Sequence, residues 1–331
     1  MSRRAFLTAL AALPLLAACG QKPMLGQEEP AMDPKGLQKA ILPIAARAEP
    51  AVLGVAAEDL GTRQIWGFNG DRAFVLGGAA RVPVLAAVMA ERAAGRLDLN
   101  EQIDARDVDL SPPPSAVADA WPGRESYTVA ELEALARTGD NTALDLLTKR
   151  IGGPGAVNGW LDVRQLRGVS VDRYRRQVET DTMGMASFRA DWRGETAWRR
   201  ALASVSADKR ATAARQRAAD PRDTTTPVGV VRLLETFNTR EAFASADPRL
   251  LLGNDPGYLA SALPEGAKIW QAAGSARPDL GVVAESHAVA LIELKDGRRI
   301  ALAVFLTRST TDVAAREAII TEAGRTVLKS F

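Results

Sequence analysis

The segment Asp220-Pro221-Arg222-Asp223-Thr224-Thr225-Thr226-Pro227 divides the chain into two parts with different hydrophobic periods. Thr226 is a good N-cap residue and proline is pre-organised for the first helical position, so Thr226-Pro227 predicts a helix start. Leu233, Leu234 and Phe237 would line one face of that helix. Further on, residues 280–294 and 299–307 alternate or run apolar as strands, with Lys295-Asp296-Gly297-Arg298 as the turn between them. Asp312 then caps a closing helix that reaches about Lys329.

Upstream of the segment, residues 82–147 read as mostly helical, interrupted at Gly95 and at Pro112-Pro113-Pro114. Within them Thr128 and Glu131 have the spacing of a capping box. Earlier still, residues 52–58 and 63–68 read as strands joined by Asp59-Leu60-Gly61-Thr62. Leu37, Ile41, Ile44 and Ala45 recur at helical spacing, with Pro43 expected to kink or split their helix. The two chain ends therefore share a sheet, and an all-helical insertion lies between them.

A chain of 331 residues that is 47% hydrophobic can bury a large core, and its net charge of +2 argues against a nucleic-acid partner. The N-terminus has export features: Arg3 and Arg4, an apolar run over residues 5–16, then small residues, so that residues 1–18 read as a signal peptide. Ser2-Arg3-Arg4-Ala5-Phe6-Leu7 is similar to the twin-arginine export motif, and Leu16-Ala17-Ala18-Cys19 to a lipobox. Cys19 would accept the lipid and anchor the chain to a membrane. Gly20, in place of an aspartate, favours the outer membrane of the periplasm. Residues 19–34 read as a flexible tether and 35–331 as the folded body.

Cys19 is the only cysteine and His287 the only histidine, which disfavours disulfides, a zinc site or any other metal centre, and no dinucleotide or Walker motif appears; no cofactor is expected. His287 falls on an expected strand, where a structural or surface role is the simpler reading than a Ser-His-Asp triad.

The segment 220–227, followed back through Tyr127-Thr128-Val129-Ala130-Glu131-Leu132, Gly139-Asp140-Asn141-Thr142-Ala143 and Ile151-Gly152-Gly153-Pro154, resembles the class A β-lactamase and penicillin-recognising serine hydrolase family in order and spacing. The likeness extends over about residues 35–331. It implies an α/β fold of α+β type: an antiparallel sheet flanked by N- and C-terminal helices (residues 35–75 and 228–331), and a helical part (76–227) that carries an insertion near 183–219. Trp192, Trp198, Leu202 and Val205 in that insertion suggest an amphipathic helix near the cleft mouth.

The resemblance also locates the family's chemistry, and this chain departs from it at each step. The nucleophile and lysine window falls on Gly78-Ala79-Ala80-Arg81; glycine has no nucleophile, and arginine does not become a neutral base. Gly139 stands for the proton-relaying serine, beside Asp140 and an Asn141 that keeps the positioning amide. The deacylating glutamate position, after Asp172-Arg173, falls on Arg175, and the lysine, glycine segment of the opposite wall on Ala272-Ala273-Gly274-Ser275. An unrelated match to the SxxK pattern, Ser206 to Lys209, lies out of register in the insertion. These losses imply an envelope lipoprotein that binds cell-wall peptide or a protein partner without catalysis. The alternative is an active hydrolase of the family, acting on a β-lactam, peptide or ester through other residues.

Overall fold

In the computed structural model, residues 32–239, 251–253 and 257–331 are described. The export signal, including Arg3 and Arg4, Cys19 and the tether up to residue 31 lie outside them. The strands are β1 (Val52–Asp59), β2 (Ile65–Phe68), β3 (Phe74–Val75), β4 (Gln102–Asp104), β5 (Ser126–Thr128), β6 (Thr224–Thr225), β7 (Lys268–Ser275), β8 (Val283–Glu293) and β9 (Arg299–Ser309). The helices are α1 (Pro34–Ala48), α2 (Arg81–Ala93), α3 (Ala116–Ala120), α4 (Val129–Arg137), α5 (Asn141–Arg150), α6 (Pro154–Val163), α7 (Arg175–Thr182), α8 (Glu195–Ala203), α9 (Ala207–Ala219), α10 (Pro227–Thr239) and α11 (Val313–Leu328).

A five-stranded antiparallel sheet in the order β2-β1-β9-β8-β7 joins the two chain ends. Successive strand residues point to opposite faces, which assigns each apolar side chain to one of two cores. Leu53, Val55, Ala57, Leu302, Val304 and Leu306 face α1 and α11, while Ala56, Val289, Ala301, Ala303 and Phe305 face the helical body. The body also holds two short ribbons that residue periodicity does not announce, β3 with β6 and β4 with β5.

Several expectations are refined by local geometry. Pro43 does not split α1, which runs from Pro34 to Ala48. Pro43 and Lys39 lie on its exposed face, where water can satisfy the carbonyl left without a donor. The body begins earlier than residue 35: Met32 is buried, its amide donates to Gln64 Oε1 at 3.0 Å, and Asp33 caps α1. The strand expected from 280 starts at Val283, because Leu280 (φ +50°) and Gly281 (φ +75°) form a turn closed between Asp279 and Val282. Thr128 and Glu131 do form a capping box, and Thr226 Oγ1 accepts from Gly229 N at 2.9 Å at the start of α10.

Close approach of β1 to the helical body depends on Gly54. A Cβ there would overlap the Phe74 ring and come within 3.1 Å of Pro227. Phe74 in turn stacks on Phe305, with ring centroids 5.8 Å apart. Gly54→Ala should therefore destabilise the fold by about 1–3 kcal/mol through overpacking, measured as a lower urea midpoint at unchanged slope.

Candidate functional site

Three segments that are far apart in sequence meet at Asp223, which is buried and held at φ +50°. Its carboxylate accepts from Asp172 N (2.8 Å), Arg173 N (3.0 Å) and Arg173 Nε (2.7 Å), and its own amide donates back to Asp172 Oδ2 at 2.8 Å. The Arg173 guanidinium also reaches Asp181 at 2.7 Å and Asp220 at 3.0 Å. Meanwhile the Asp223 carbonyl accepts from Leu76 N (2.9 Å) and from Arg217 of α9 (3.2 Å). The residue before the Gly77–Ala80 turn, the loop before α7 and the end of α9 are thereby fixed to one residue.

Leu76 leads into the turn Gly77–Ala80 and then α2, whose first residue is Arg81. Arg81 is buried and donates to two carbonyls, Gly78 O (3.3 Å) and Ala273 O (2.9 Å), so it bridges the body and β7. Burial lowers its pKa to about 10, against the attraction of Glu285; at neutral pH it stays a cation.

On the other side of the same loop system, Asp145 holds the first turn of α7. Its carboxylate accepts from Arg175 N (2.6 Å), Arg176 N (2.8 Å) and Ser111 Oγ (2.6 Å). Burial pushes the Asp145 carboxyl up to about 6, opposed by those hydrogen bonds. Arg175, thus placed, donates to Gly77 O at 2.9 Å and Asn141 Oδ1 at 3.3 Å and pairs with Glu179. Asn141 donates to Pro112 O at 3.1 Å. Both ends of the amide that sequence reasoning left for a ligand are therefore engaged within the protein.

The sheet wall supplies two groups that sequence reasoning missed or undervalued. Glu285 and His287 sit two residues apart on the inner face of β8, and both are buried. Glu285 Oε2 lies 2.7 Å from His287 Nδ1, and Oε1 accepts from Gly78 N at 3.2 Å. Burial alone would raise the Glu285 carboxyl, but the imidazole and the Gly78 amide hold it below the usual carboxylate range. The imidazole stacks on Phe305 at 6.2 Å. The available signal was a Glu-x-His pair at strand spacing on a face whose next inward residues, Val289 and Leu291, are apolar.

These groups line a cavity of about 630 Å³ between the sheet and the helical body. Gly78, Arg81, Gly139, Asn141, Arg175, Gly274 and Ser275 all reach it. Ala272 does not: it is fully buried on the same face of β7, opposite Val289 in the core. Gly139 (φ +96°) and Asp140, the N-cap of α5, serve the backbone. Ser275 Oγ pairs with Ser286 Oγ at 2.8 Å. Ser206 merely caps α9, exposed beside Lys209.

The insertion forms α8 and α9, and Trp198, Arg215, Arg217 and Ala218 line the cavity from there. Trp198 is buried against Phe188 (5.8 Å between centroids), with Met183, Met185, Leu110 and Ala118 completing a small core. The insertion thus both packs on the body and walls the cleft.

A five-stranded antiparallel sheet with terminal helices on one face, a helical body on the other and a cleft between them is the β-lactamase-like serine hydrolase fold. The chain belongs to the beta-lactamase enzyme family, whose model matches residues 36–331. It is 22% identical over 286 residues to beta-lactamase VEB-1 of Pseudomonas aeruginosa, spanning 83% of this chain and 84% of that protein. A beta-lactamase of Proteus vulgaris is 23% identical over 288 residues, 84% of this chain and 90% of its own length. Among solved structures, an ancestral class A beta-lactamase superposes with a TM-score of 0.69 at 26% identity, covering 89% of this chain and 100% of that one.

Because Asp223 joins these segments, Asp223→Ala should cost about 3–5 kcal/mol, the usual loss when one partner of a buried ion pair is removed. Urea denaturation measures it, and a loss below about 1 kcal/mol would show that the segments hold their places independently.

Proposed function

We propose that this chain is a ligand-binding protein of the cell envelope, lipid-anchored through Cys19, whose β-lactamase-like body forms no acyl-enzyme. The observation that carries this reading is the centre of the cleft. Where the family resemblance assigns a serine and a lysine stand Gly78, with no side chain, and Arg81, a buried cation donating to two backbone carbonyls. A guanidinium that stays protonated at neutral pH cannot take a proton from a nucleophile.

The other assigned positions agree in chemistry. Arg175, tied to Asn141 and Glu179, offers no carboxylate to a hydrolytic water, and Ala272 offers no cation. The cavity nevertheless keeps a volume within the usual range of ligand sites, which supports binding, with cell-wall peptide or an envelope protein segment as the occupant. The names of the relatives favour the second reading, a serine hydrolase acting through other residues.

Incubation with an acylating β-lactam and intact-mass analysis separates the two. The expected result is an unmodified mass and no nitrocefin turnover; an adduct on any serine would overturn the proposal. For the anchor, Cys19→Ser should move the protein from the membrane to the soluble fraction, and unchanged membrane retention would exclude lipidation at this residue.

A further inference from the structure

The wall of the cavity engages most of its own polar groups within the protein. Of the six arginines in the lining, Arg81 and Arg217 each donate to two backbone carbonyls, Arg175 holds Gly77 O and Glu179, and Arg277 pairs with Glu195 at 2.6 Å. The four carboxylates in the lining are engaged too: Asp140 caps α5, Glu179 pairs with Arg175, Asp279 with Arg210, and Glu285 holds the Gly78 amide. The hydroxyls of Thr138, Thr182 and Thr307 donate to backbone carbonyls.

What these contacts leave facing the space is largely apolar. Ala211, Ala214 and Ala218 recur at helical spacing along the side of α9 that lines it, and their small side chains leave room. Leu280 and Val282 line it from the hairpin between β7 and β8, and they are 46% and 39% exposed. Leu280 is at odds with the turn it occupies. It sits at φ +50° beside Gly281 at φ +75°, the two central residues of a turn closed between Asp279 and Val282. Such a turn favours asparagine, aspartate or glycine at both places. A bulky side chain kept there, and nearly half exposed, points to a use outside folding. The ion pair of Asp279 with Arg210 ties this turn to α9.

Two cations of the lining remain. Arg308 makes no hydrogen bond or ion pair among the described residues, and Arg215 has only the Thr212 hydroxyl, at 2.9 Å. Both are exposed, which puts them where the cavity opens to water. An apolar space with uncompensated positive charge at its opening is complementary to a chain that is negatively charged at one end. We infer that the cleft takes an anionic amphiphile, whose apolar chain lies against α9 and the β7–β8 hairpin and whose anionic end is held by Arg215 and Arg308. This inference rests on the binding reading above and narrows its occupant to one that brings such a chain.

Isothermal titration calorimetry of the unlipidated full chain at neutral pH, with decanoate below its micelle concentration, tests this. Saturable binding is expected, weakening about fourfold for each methylene removed, since a buried CH2 is worth about 0.8 kcal/mol. Decyltrimethylammonium, with the same chain and the opposite charge, should bind at least thirtyfold more weakly. Arg215→Gln together with Arg308→Gln should weaken decanoate at least tenfold and leave decanol, its neutral analogue, unchanged. Ala214→Phe, which fills the space from an exposed helix position, should weaken both at least tenfold. The inference is overturned if decanoate does not bind, if chain length has no effect, or if decyltrimethylammonium or triglycine binds as tightly. Full decanoate binding by either folded variant overturns it as well. The comparisons of charge and chain length use the unaltered chain and decide the matter even where a variant does not fold. An acyl adduct in the mass measurement would sink the non-catalytic reading, whereas a failure of decanoate to bind the unmodified protein would sink only this inference.

Discussion

The cleft depends on one buried carboxylate. Asp223 satisfies two backbone amides and a guanidinium through its side chain, while its carbonyl takes the amide of Leu76, just before the Gly77–Ala80 turn, and a guanidinium from α9. A charge removed from water is tolerated only when it is paired and fully hydrogen-bonded, and here every partner belongs to a segment that forms part of the cleft. The conformation of each segment is therefore conditional on the others. The positive φ of Asp223 is held by the same network, which over-determines it.

Much of the fold could be read from local rules. The Thr226-Pro227 start, the Thr128 and Glu131 box, and the 295–298 turn are decided within a few residues, by groups that satisfy each other's backbone. What escaped reading is long-range. Pro43 lies inside α1 without splitting it, on the exposed face, and which face that is depends on packing against the sheet. The ribbons β3 with β6 and β4 with β5 are too short to show a period of two.

The site was legible in outline and misjudged in detail for a related reason. Seven of the eight positions singled out in the sequence reach one cavity, but only tertiary structure shows that Arg175 occupies Asn141 or that Ala272 is sealed beneath the surface. Glu285 and His287 look like ordinary strand residues until the sheet puts both on the inward face, against the turn at Gly78.

The contact between Gly78 and His287 also bears on what a side chain at this turn could do. A serine at position 78 would put a hydroxyl where the family resemblance assigns the nucleophile. Any side chain there must first come within 3.1 Å of an imidazole packed on Phe305 and tied to Glu285, and it would find a permanent cation at Arg81. A hydroxyl added at this turn would therefore need the ring on the sheet wall to give by a few tenths of an ångström, and would find a cation where a base is needed.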